Sequence, residues 1–280
     1  MGAILIAVTV GVLIVDQWLG GWYPFLFVTV VTMAALACFE LRQLLEVARR
    51  PPAWLCFLAV IGLVACNWVR PLGEVFARST DPWHAIAGLM AGIVLAGFLW
   101  EMATFHGPGG SVQRIATLLF MAAYLGLLPC FLIQLRFPAT PPASGEAHLG
   151  SVSLALAIFV PKCCDTGAYF TGRLIGKHPM APVLSPKKTW EGAAGGLAAS
   201  VAAAVGINRL GPVLNGIGTE ITFGLTVGIA AMLGDLAESL IKRDFGRKDA
   251  SEVLPGFGGI LDVIDSILFA SPVAFCWLAK

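Results

Sequence analysis

Carboxylate side chains within strongly apolar segments are the most informative feature of this chain. Asp235, Glu238, Ser239 and Lys242 lie at spacings of three and four in one apolar segment, and Asp262 and Asp265 lie three apart in the next. Such spacings place residues on one face of a helix, where Glu238 and Lys242 could simply pair. Charged groups in or beside lipid are costly, which makes them candidates for a functional site. We interpret Asp235 as a metal or substrate ligand, with a structural ion pair as the alternative.

Asp262 and Asp265 follow a glycine-rich turn, Pro255 to Gly259, that allows close approach of the backbone. Carboxylates that converge near a phosphate usually hold Mg²⁺, because hard oxygen ligands suit this ion. Acidic residues are also favoured at the start of a helix by the helix dipole. This alternative explains Asp262, but it explains Asp265 less easily because the neighbours of Asp265 are apolar.

A basic segment, Ser185-Pro-Lys-Lys-Thr-Trp-Glu-Gly192, precedes another apolar stretch. A serine before a proline predicts a helix N-cap with Pro186 at the first helical position. Lys187 and Lys188 would then lie in the first turn, where unpaired backbone N–H groups already favour an anion. We expect them to bind a multiply charged ligand such as a triphosphate. The alternative is that both lysines only mark the cytoplasmic boundary of a membrane helix.

The segment from Asp165 to Arg173 is also polar for a membrane helix. Its small residues favour close helix packing, which is the competing explanation, and Asp165 is the residue that packing explains least. The seven cysteines show no CxxC pair and no metal-binding spacing with histidine.

The composition is that of a membrane protein. Of 280 residues, 58% are hydrophobic and 12% are charged, whereas about a quarter of the residues are charged in soluble domains. A net charge of +1 excludes bulk attraction to nucleic acid. We predict an all-α, polytopic protein in one domain, residues 1–280. Its apolar stretches predict about nine transmembrane helices, at about 3–19, 22–39, 53–69, 84–100, 114–135, 150–170, 192–208, 219–241 and 260–279.

The distribution of Lys and Arg predicts the orientation of the chain in the membrane. With nine spans, the loops on one side carry thirteen basic residues and those on the other side carry five. The first side is predicted to be cytoplasmic, with the N-terminus inside and the C-terminus outside. The first residues lack a basic region and a cleavage pattern, so we expect a retained helix and no cleaved signal peptide.

Together these segments resemble the phosphatidate cytidylyltransferase family, also called CDP-diacylglycerol synthases. The likeness covers residues 160–280 in order and spacing, whereas residues 1–150 match only as hydrophobic helices. It is carried by residues 165–173, 185–192, 234–239, Lys242-Arg243, Lys248-Asp249 and 255–266. The resemblance implies a dimeric, multi-pass enzyme of the bacterial inner membrane whose active site faces the cytoplasm. Such enzymes transfer the cytidylyl group of CTP to phosphatidic acid for phospholipid biosynthesis and release pyrophosphate.

The resemblance also implies roles for individual residues. Asp235 and Asp262 would bind a catalytic Mg²⁺, and a second monovalent or divalent cation is expected near them. The implied catalytic set is Asp235, Asp262, Lys242, Lys248, Asp249 and Asp265. The implied substrate-binding set is Asp165, Ser185, Lys187, Lys188, Thr189, Glu191, Arg243, Gly258 and Gly259.

The chain departs from the family pattern at two positions. Phe257 stands where the family usually has His, and Val263 stands where it usually has Arg. We expect a divergent active enzyme, because the other charged positions of the pattern are present and are costly to keep near lipid. The alternatives are another CTP-dependent membrane lipid kinase, which would transfer the γ-phosphate, and a catalytically silent lipid-binding homologue. A transporter is a further alternative, although the paired half-helices typical of many transporters are not evident in the sequence.

Overall fold

The structure is a computed structural model that describes residues 10–12, 14–16, 21–69, 81–137, 149–247 and 259–279. Helices make up most of these residues. In chain order they are α1 (Pro24–Leu44), α2 (Ala53–Trp68), α3 (Pro82–Ala103), α4 (Ser111–Gln134), α5 (Leu149–Ile175), α6 (Trp190–Asn208), α7 (Ile217–Asp244) and α8 (Ile260–Leu278). One antiparallel hairpin, β1 (Pro179–Ala181) with β2 (Ser185–Thr189), stands between α5 and α6.

The prediction of an all-α, polytopic membrane protein is confirmed. Eight of the nine predicted apolar stretches coincide with these helices, and the first, at about 3–19, lies mostly outside the described residues. Within the described ranges, seven helices are long and apolar enough to cross a membrane, and α2 is an additional, shorter apolar helix.

The chain separates into two compact units, Met1–Cys130 and Phe131–Lys280. The division falls inside α4, earlier than the boundary near residue 150 that separates the two halves in the sequence analysis. The assignment of the whole chain to a single domain stays a prediction.

In the first unit, α4 packs closely against α2. Leu63 and Met121 are completely buried there. The chain of α4 widens into a π-helical stretch at Ala122–Leu127, and Gly126 within it faces Leu63. A Cβ at Gly126 would lie only 2.7 Å from Leu63 Cδ1. The absence of a side chain at Gly126 therefore allows the two helices to meet.

In the second unit, small residues let α5, α6 and α7 approach closely. A Cβ at Gly196 on α6 would lie 2.8 Å from the carbonyl oxygen of Cys164 on α5. The Ser200 hydroxyl on α6 donates a 2.8 Å hydrogen bond to the carbonyl of Gly224 on α7. Such contacts hold helices together in lipid, where burial of apolar surface between helices gains little.

The contact between α7 and α8 brings the predicted carboxylates together. A Cβ at Gly234 would lie 2.6 Å from the backbone carbonyl oxygen of Asp265. Only a glycine at this position lets the backbones come so close. Asp235, the next residue along α7, is therefore held near the first turns of α8.

Candidate active site

The basic segment forms a strand instead of a helix start. Ser185–Thr189 pairs with Pro179–Ala181, with Ser185 opposite Ala181 and Thr189 opposite Pro179. The prediction that Ser185 caps a helix with Pro186 in its first turn is therefore wrong. The helix begins later, at Trp190, because the Thr189 hydroxyl accepts a hydrogen bond from the Gly192 amide at 3.1 Å and supplies the N-cap.

The two lysines of β2 line a cavity of about 400 Å³. This volume lies within the range usual for small-molecule sites. Five of the predicted site residues are among its lining residues: Asp165, Lys187, Lys188, Thr189 and Asp235. The cavity thus combines residues from α5, β1, β2, α6 and α7, and it places three cationic side chains, Lys187, Lys188 and Arg173, beside two carboxylates.

Asp235 does have a partner, and the partner comes from the hairpin. Lys188 Nζ lies 2.7 Å from Asp235 Oδ2. The carboxylate is about a third exposed, at 36% of its side-chain surface, and it faces the cavity. The sequence indicated that Asp235 has no partner within its own helix. The structure supplies a partner from β2, Lys188.

A second lysine joins α5 to α8. Lys162 Nζ contacts Asp165 Oδ2 at 3.0 Å, the Ser266 hydroxyl at 2.7 Å and Asp265 Oδ1 at 3.7 Å. The Ser266 hydroxyl also donates to Asp165 Oδ2 at 2.8 Å. Pro161, just before Lys162, removes one backbone donor inside α5. Asp165 therefore belongs to a polar network and is not explained by helix packing alone.

A third lysine joins α7 to the start of α8. Lys242 Nζ lies 2.5 Å from Glu238 Oε2 on its own helix and 2.6 Å from Asp262 Oδ1. The other oxygen of Asp262 accepts a hydrogen bond from the Gly259 amide at 2.6 Å. Asp262 thus has the helix-start role that was the alternative explanation for it, in addition to its ion pair.

Asp235, Glu238 and Asp265 form a compact group of carboxylates. Each offers a ligand oxygen, and these oxygens all lie within 4.8 Å of one another. Glu238 Oε1 is buried with no hydrogen-bond partner among the described residues. Hard oxygen ligands with one unsatisfied, buried acceptor fit a divalent cation such as Mg²⁺.

The formal charges around this group also fit a cation. The ion pairs involve five carboxylates and three ammonium groups, from Asp165, Asp235, Glu238, Asp262 and Asp265 and from Lys162, Lys188 and Lys242. Two formal negative charges are left over. Glu238 and Asp265 are buried, whereas Asp165 and Asp235 are about a third exposed. An excess of negative charge beside buried carboxylates favours bound cations or protons, and one divalent ion would balance it.

The compact group differs from the predicted metal pair. Asp235 is common to both, but Asp262 is absent from the group and both of its oxygens have partners. Binding of Mg²⁺ by Asp235 and Asp262 stays a prediction. Within the described part of the chain, Glu238 and Asp265 are the carboxylates that the structure sets beside Asp235.

Two other predicted substrate-binding residues have structural partners. Glu191 accepts hydrogen bonds from the backbone amides of Lys177 and His178, at 3.1 and 3.2 Å, and its other oxygen contacts His178 Nδ1. Arg243 donates from Nε to the Leu184 carbonyl at 3.3 Å, which ties the hairpin to the end of α7. Their roles in substrate binding stay predictions. Lys248, Asp249 and Gly258 lie outside the described residues, as does Phe257.

Sequence reasoning missed two members of the site. In the sequence, Lys162 is one of the thirteen basic residues assigned to the predicted cytoplasmic side, and Glu238 is considered only as a possible partner of Lys242. Lys162 lies one helical turn before Asp165 in an apolar helix, and this spacing could have indicated that the two side chains interact. For Glu238 the signal was its spacing of three from Asp235.

Among known proteins, the sequence model of the cytidylyltransferase family matches residues 1–279 of this chain. This chain belongs to the cytidylyltransferase family. Its cavity, lysines and carboxylate group all lie within the matched range, and the predicted resemblance is confirmed.

Named relatives agree with this assignment. A phosphatidate cytidylyltransferase of Mycobacterium bovis is 29% identical over 291 residues, covering 98% of this chain and 86% of that protein. The chloroplastic phosphatidate cytidylyltransferase 5 of Arabidopsis thaliana is 28% identical over 284 residues, covering 92% of this chain and 66% of that protein. A Brucella suis phosphatidate cytidylyltransferase is 39% identical over 131 residues, or 47% of this chain and 48% of its own length.

Proposed function

We propose that this cytidylyltransferase transfers the cytidylyl group of CTP to phosphatidic acid, forming CDP-diacylglycerol and pyrophosphate for phospholipid biosynthesis. The observation that carries the proposal is the cavity in which Lys187 and Lys188 face Asp165 and Asp235. A nucleotide triphosphate needs cations around it, and a membrane-embedded phosphate acceptor needs a site that reaches the lipid. The names of the relatives support these substrates.

The chemistry is an in-line displacement at the α-phosphorus of CTP. A phosphate oxygen of phosphatidic acid forms the new P–O bond, and the bond from the α-phosphorus to the bridging oxygen of the β-phosphate breaks. The electron pair leaves with pyrophosphate. The attacking oxygen is already ionised, so the step needs no covalent nucleophile from the protein. The barrier comes from bringing two anions together, which makes positioning and charge neutralisation the main contributions of the protein.

Basic residues in the cavity and in the polar contacts next to it contribute in different ways. Lys187 has no ion pair among the described residues and lines the cavity, where it binds the triphosphate. Lys188 is held by Asp235, which fixes the position of its ammonium group for the same ligand. Lys242 and Arg243 neutralise the lipid phosphate or the leaving group, and Lys162 orients Asp165 and Asp265.

Mg²⁺ is proposed as the cofactor. Asp235, Glu238 and Asp265 would hold it, and Asp262 stands close by through Lys242. When bound, the ion supplies a positive charge that stabilises phosphate oxygens as negative charge develops on them. A second, monovalent or divalent cation stays part of the proposal because the resemblance to the family implies it.

The experiment is a turnover assay with the purified chain, CTP, phosphatidic acid and Mg²⁺. We expect CDP-diacylglycerol and pyrophosphate as products, whereas release of CDP would show γ-phosphate transfer and contradict the proposal. Lys188→Gln should lower kcat/KM for CTP roughly tenfold or more, because hydrogen bonds to charged groups contribute most to such sites. Lys177→Gln, an exposed lysine outside the cavity lining, is the matched control and should leave kcat/KM unchanged.

Membrane location and assembly complete the proposal. We place the protein in the bacterial inner membrane, as a homodimer, with the cavity facing the cytoplasm, the N-terminus inside and the C-terminus outside. The support is the excess of basic residues on one side in the sequence and the membrane-length helices. Cysteine accessibility in sealed cells would test the orientation, and mass measurement in detergent would test the dimer.

A further inference from the structure

The first unit contains a second cavity that the transferase chemistry does not use. It has a volume of about 490 Å³ and is widely open to its surroundings. Three arginines line it, Arg42, Arg50 and Arg114, together with one acidic residue, Glu101. We call this cavity the arginine pocket. Its lining carries two formal positive charges in excess, the opposite of the carboxylate group in the second unit.

Only one of the three arginines of the arginine pocket is paired with the acidic residue of its lining. Glu101 is paired with Arg114, whose Nε donates to Glu101 Oε1 at 2.8 Å and whose Nη2 lies 2.5 Å from Oε2. Arg50 donates from Nε to the Leu45 carbonyl at 2.8 Å and from Nη2 to the Gln43 carbonyl at 3.2 Å. These backbone contacts fix the guanidinium group without neutralising it.

Arg42 is the residue that points most strongly to a ligand. Its Nε is buried and has no hydrogen-bond partner among the described residues. Its guanidinium group lies beside the thiol of Cys56, which is a weak acceptor. A buried guanidinium N–H without a carboxylate or carbonyl acceptor is costly, and an anion that reaches Arg42 Nε from the pocket would satisfy it.

The position of the pocket in the fold identifies the kind of anion. Arg42 is in the last turn of α1, Glu101 is near the end of α3, and Arg114 is in the first turn of α4. The ends of membrane-length helices lie at the membrane surface. Apolar and aromatic groups, Trp100 among them, line the same cavity, and tryptophan is typical of the membrane–water interface.

We propose that the arginine pocket binds the phosphate of an anionic glycerophospholipid. Planar guanidinium groups suit phosphate oxygens, which they bind with two parallel hydrogen bonds. Basic pockets between membrane helices on the cytoplasmic side bind lipid head groups in this way. The apolar part of the lining contacts the glycerol and the first carbons of the acyl chains. All of the lining residues of the pocket belong to the first unit.

A lipid titration tests the proposal without measuring turnover. The full chain is placed in phosphatidylcholine nanodiscs with increasing phosphatidylglycerol, and bound phosphatidylglycerol is counted by native mass spectrometry. The double variant Arg42→Gln with Arg50→Gln should bind about twenty-five-fold more weakly, because each basic residue near anionic lipid contributes roughly a fivefold factor. Because the readout is binding, loss of the lipid site and loss of transferase activity are distinguishable.

Arg49→Gln is the matched control. It removes the same charge from the same segment, but Arg49 is exposed, pairs with Glu46 at 3.2 Å and does not line the pocket. Its binding should stay within about twofold of the original chain. An equal loss in the control and the double variant would mean that the arginines only provide general positive charge, and it would overturn the proposal.

Two further measurements secure the test. Inorganic phosphate at millimolar concentration should not displace phosphatidylglycerol, and displacement would assign the pocket to a free phosphate instead. Because Arg50 also holds its own segment in place, the unmodified chain is labelled in parallel with a photoreactive phosphatidylglycerol. Adducts on residues 42–52 and 100–114 support the proposal, and adducts confined to other segments contradict it.

Discussion

Asp262 and Asp265 lie one helical turn apart on α8, yet they occupy different environments. Asp262 is held by the Lys242 ammonium group and by the Gly259 amide, both at 2.6 Å. Asp265 is 5% exposed, lies 3.7 Å from Lys162, and belongs to the compact carboxylate group. The spacing of Asp262 and Asp265 in the sequence suggests one shared function, but their different environments indicate two. We infer that Asp262 organises the start of α8, while Asp265 supplies negative charge for a cation.

Asp235→Asn should have the largest effect, because Asp235 belongs to both metal assignments and also holds Lys188. We expect turnover to fall roughly a hundredfold or more, as for loss of a group that stabilises charge in the transition state. The measurement is CDP-diacylglycerol formation at saturating CTP. Asp244→Asn makes the same change at an exposed position outside the cavity lining and should keep activity. Similar activity in both variants would remove Asp235 from the site.

Asp265→Asn and Asp262→Asn separate the two metal assignments directly. If the compact group holds the cation, Asp265→Asn should weaken Mn²⁺ binding, followed by electron paramagnetic resonance, by about tenfold. Asp262→Asn should change it much less and should lower the thermal stability instead. The reverse order would favour the pair Asp235 and Asp262 and would contradict the division of roles on α8.

The fold class was predictable because the length and hydropathy of each segment are local properties. The same holds for the pairing of Glu238 with Lys242, which are four residues apart on one helix. The contact of Lys162 with Ser266 joins residues 104 positions apart, and no periodicity within one helix encodes it. The hairpin was missed for a related reason. Ser185-Pro186 carries a valid local signal for an N-cap, but pairing with Pro179–Ala181 overrides it.

Gly234→Ala tests whether the α7–α8 contact sets the position of Asp265. The new Cβ would meet the Asp265 carbonyl oxygen at 2.6 Å, so α8 must move. We expect a loss of about 1–3 kcal/mol in the free energy of unfolding, typical of overpacking, with weaker Mn²⁺ binding. The measurements are thermal unfolding in detergent and the same resonance titration.

Gly206→Ala is the matched control for this variant. Gly206 lies within α6, and a Cβ there would meet nothing within 4 Å. The substitution should leave Mn²⁺ binding unchanged and should stabilise the protein by about 0.5–1 kcal/mol through helix propensity. If Gly234→Ala behaves in the same way, close contact at Gly234 does not position Asp265.

Thr189→Ala should have the smallest effect on the free energy of unfolding. This variant shows how much stability is lost when only a helix cap is removed. Thr189 caps α6 through the Gly192 amide at 3.1 Å, much as Asp262 caps α8 through Gly259. We expect a loss of about 1 kcal/mol in unfolding free energy, measured by thermal unfolding, with Thr189→Ser retaining the cap. A much larger loss in Asp262→Asn would then measure its ion pair with Lys242. An equal loss would reduce Asp262 to a capping residue and leave Asp265 as the carboxylate of α8 that matters for the cation.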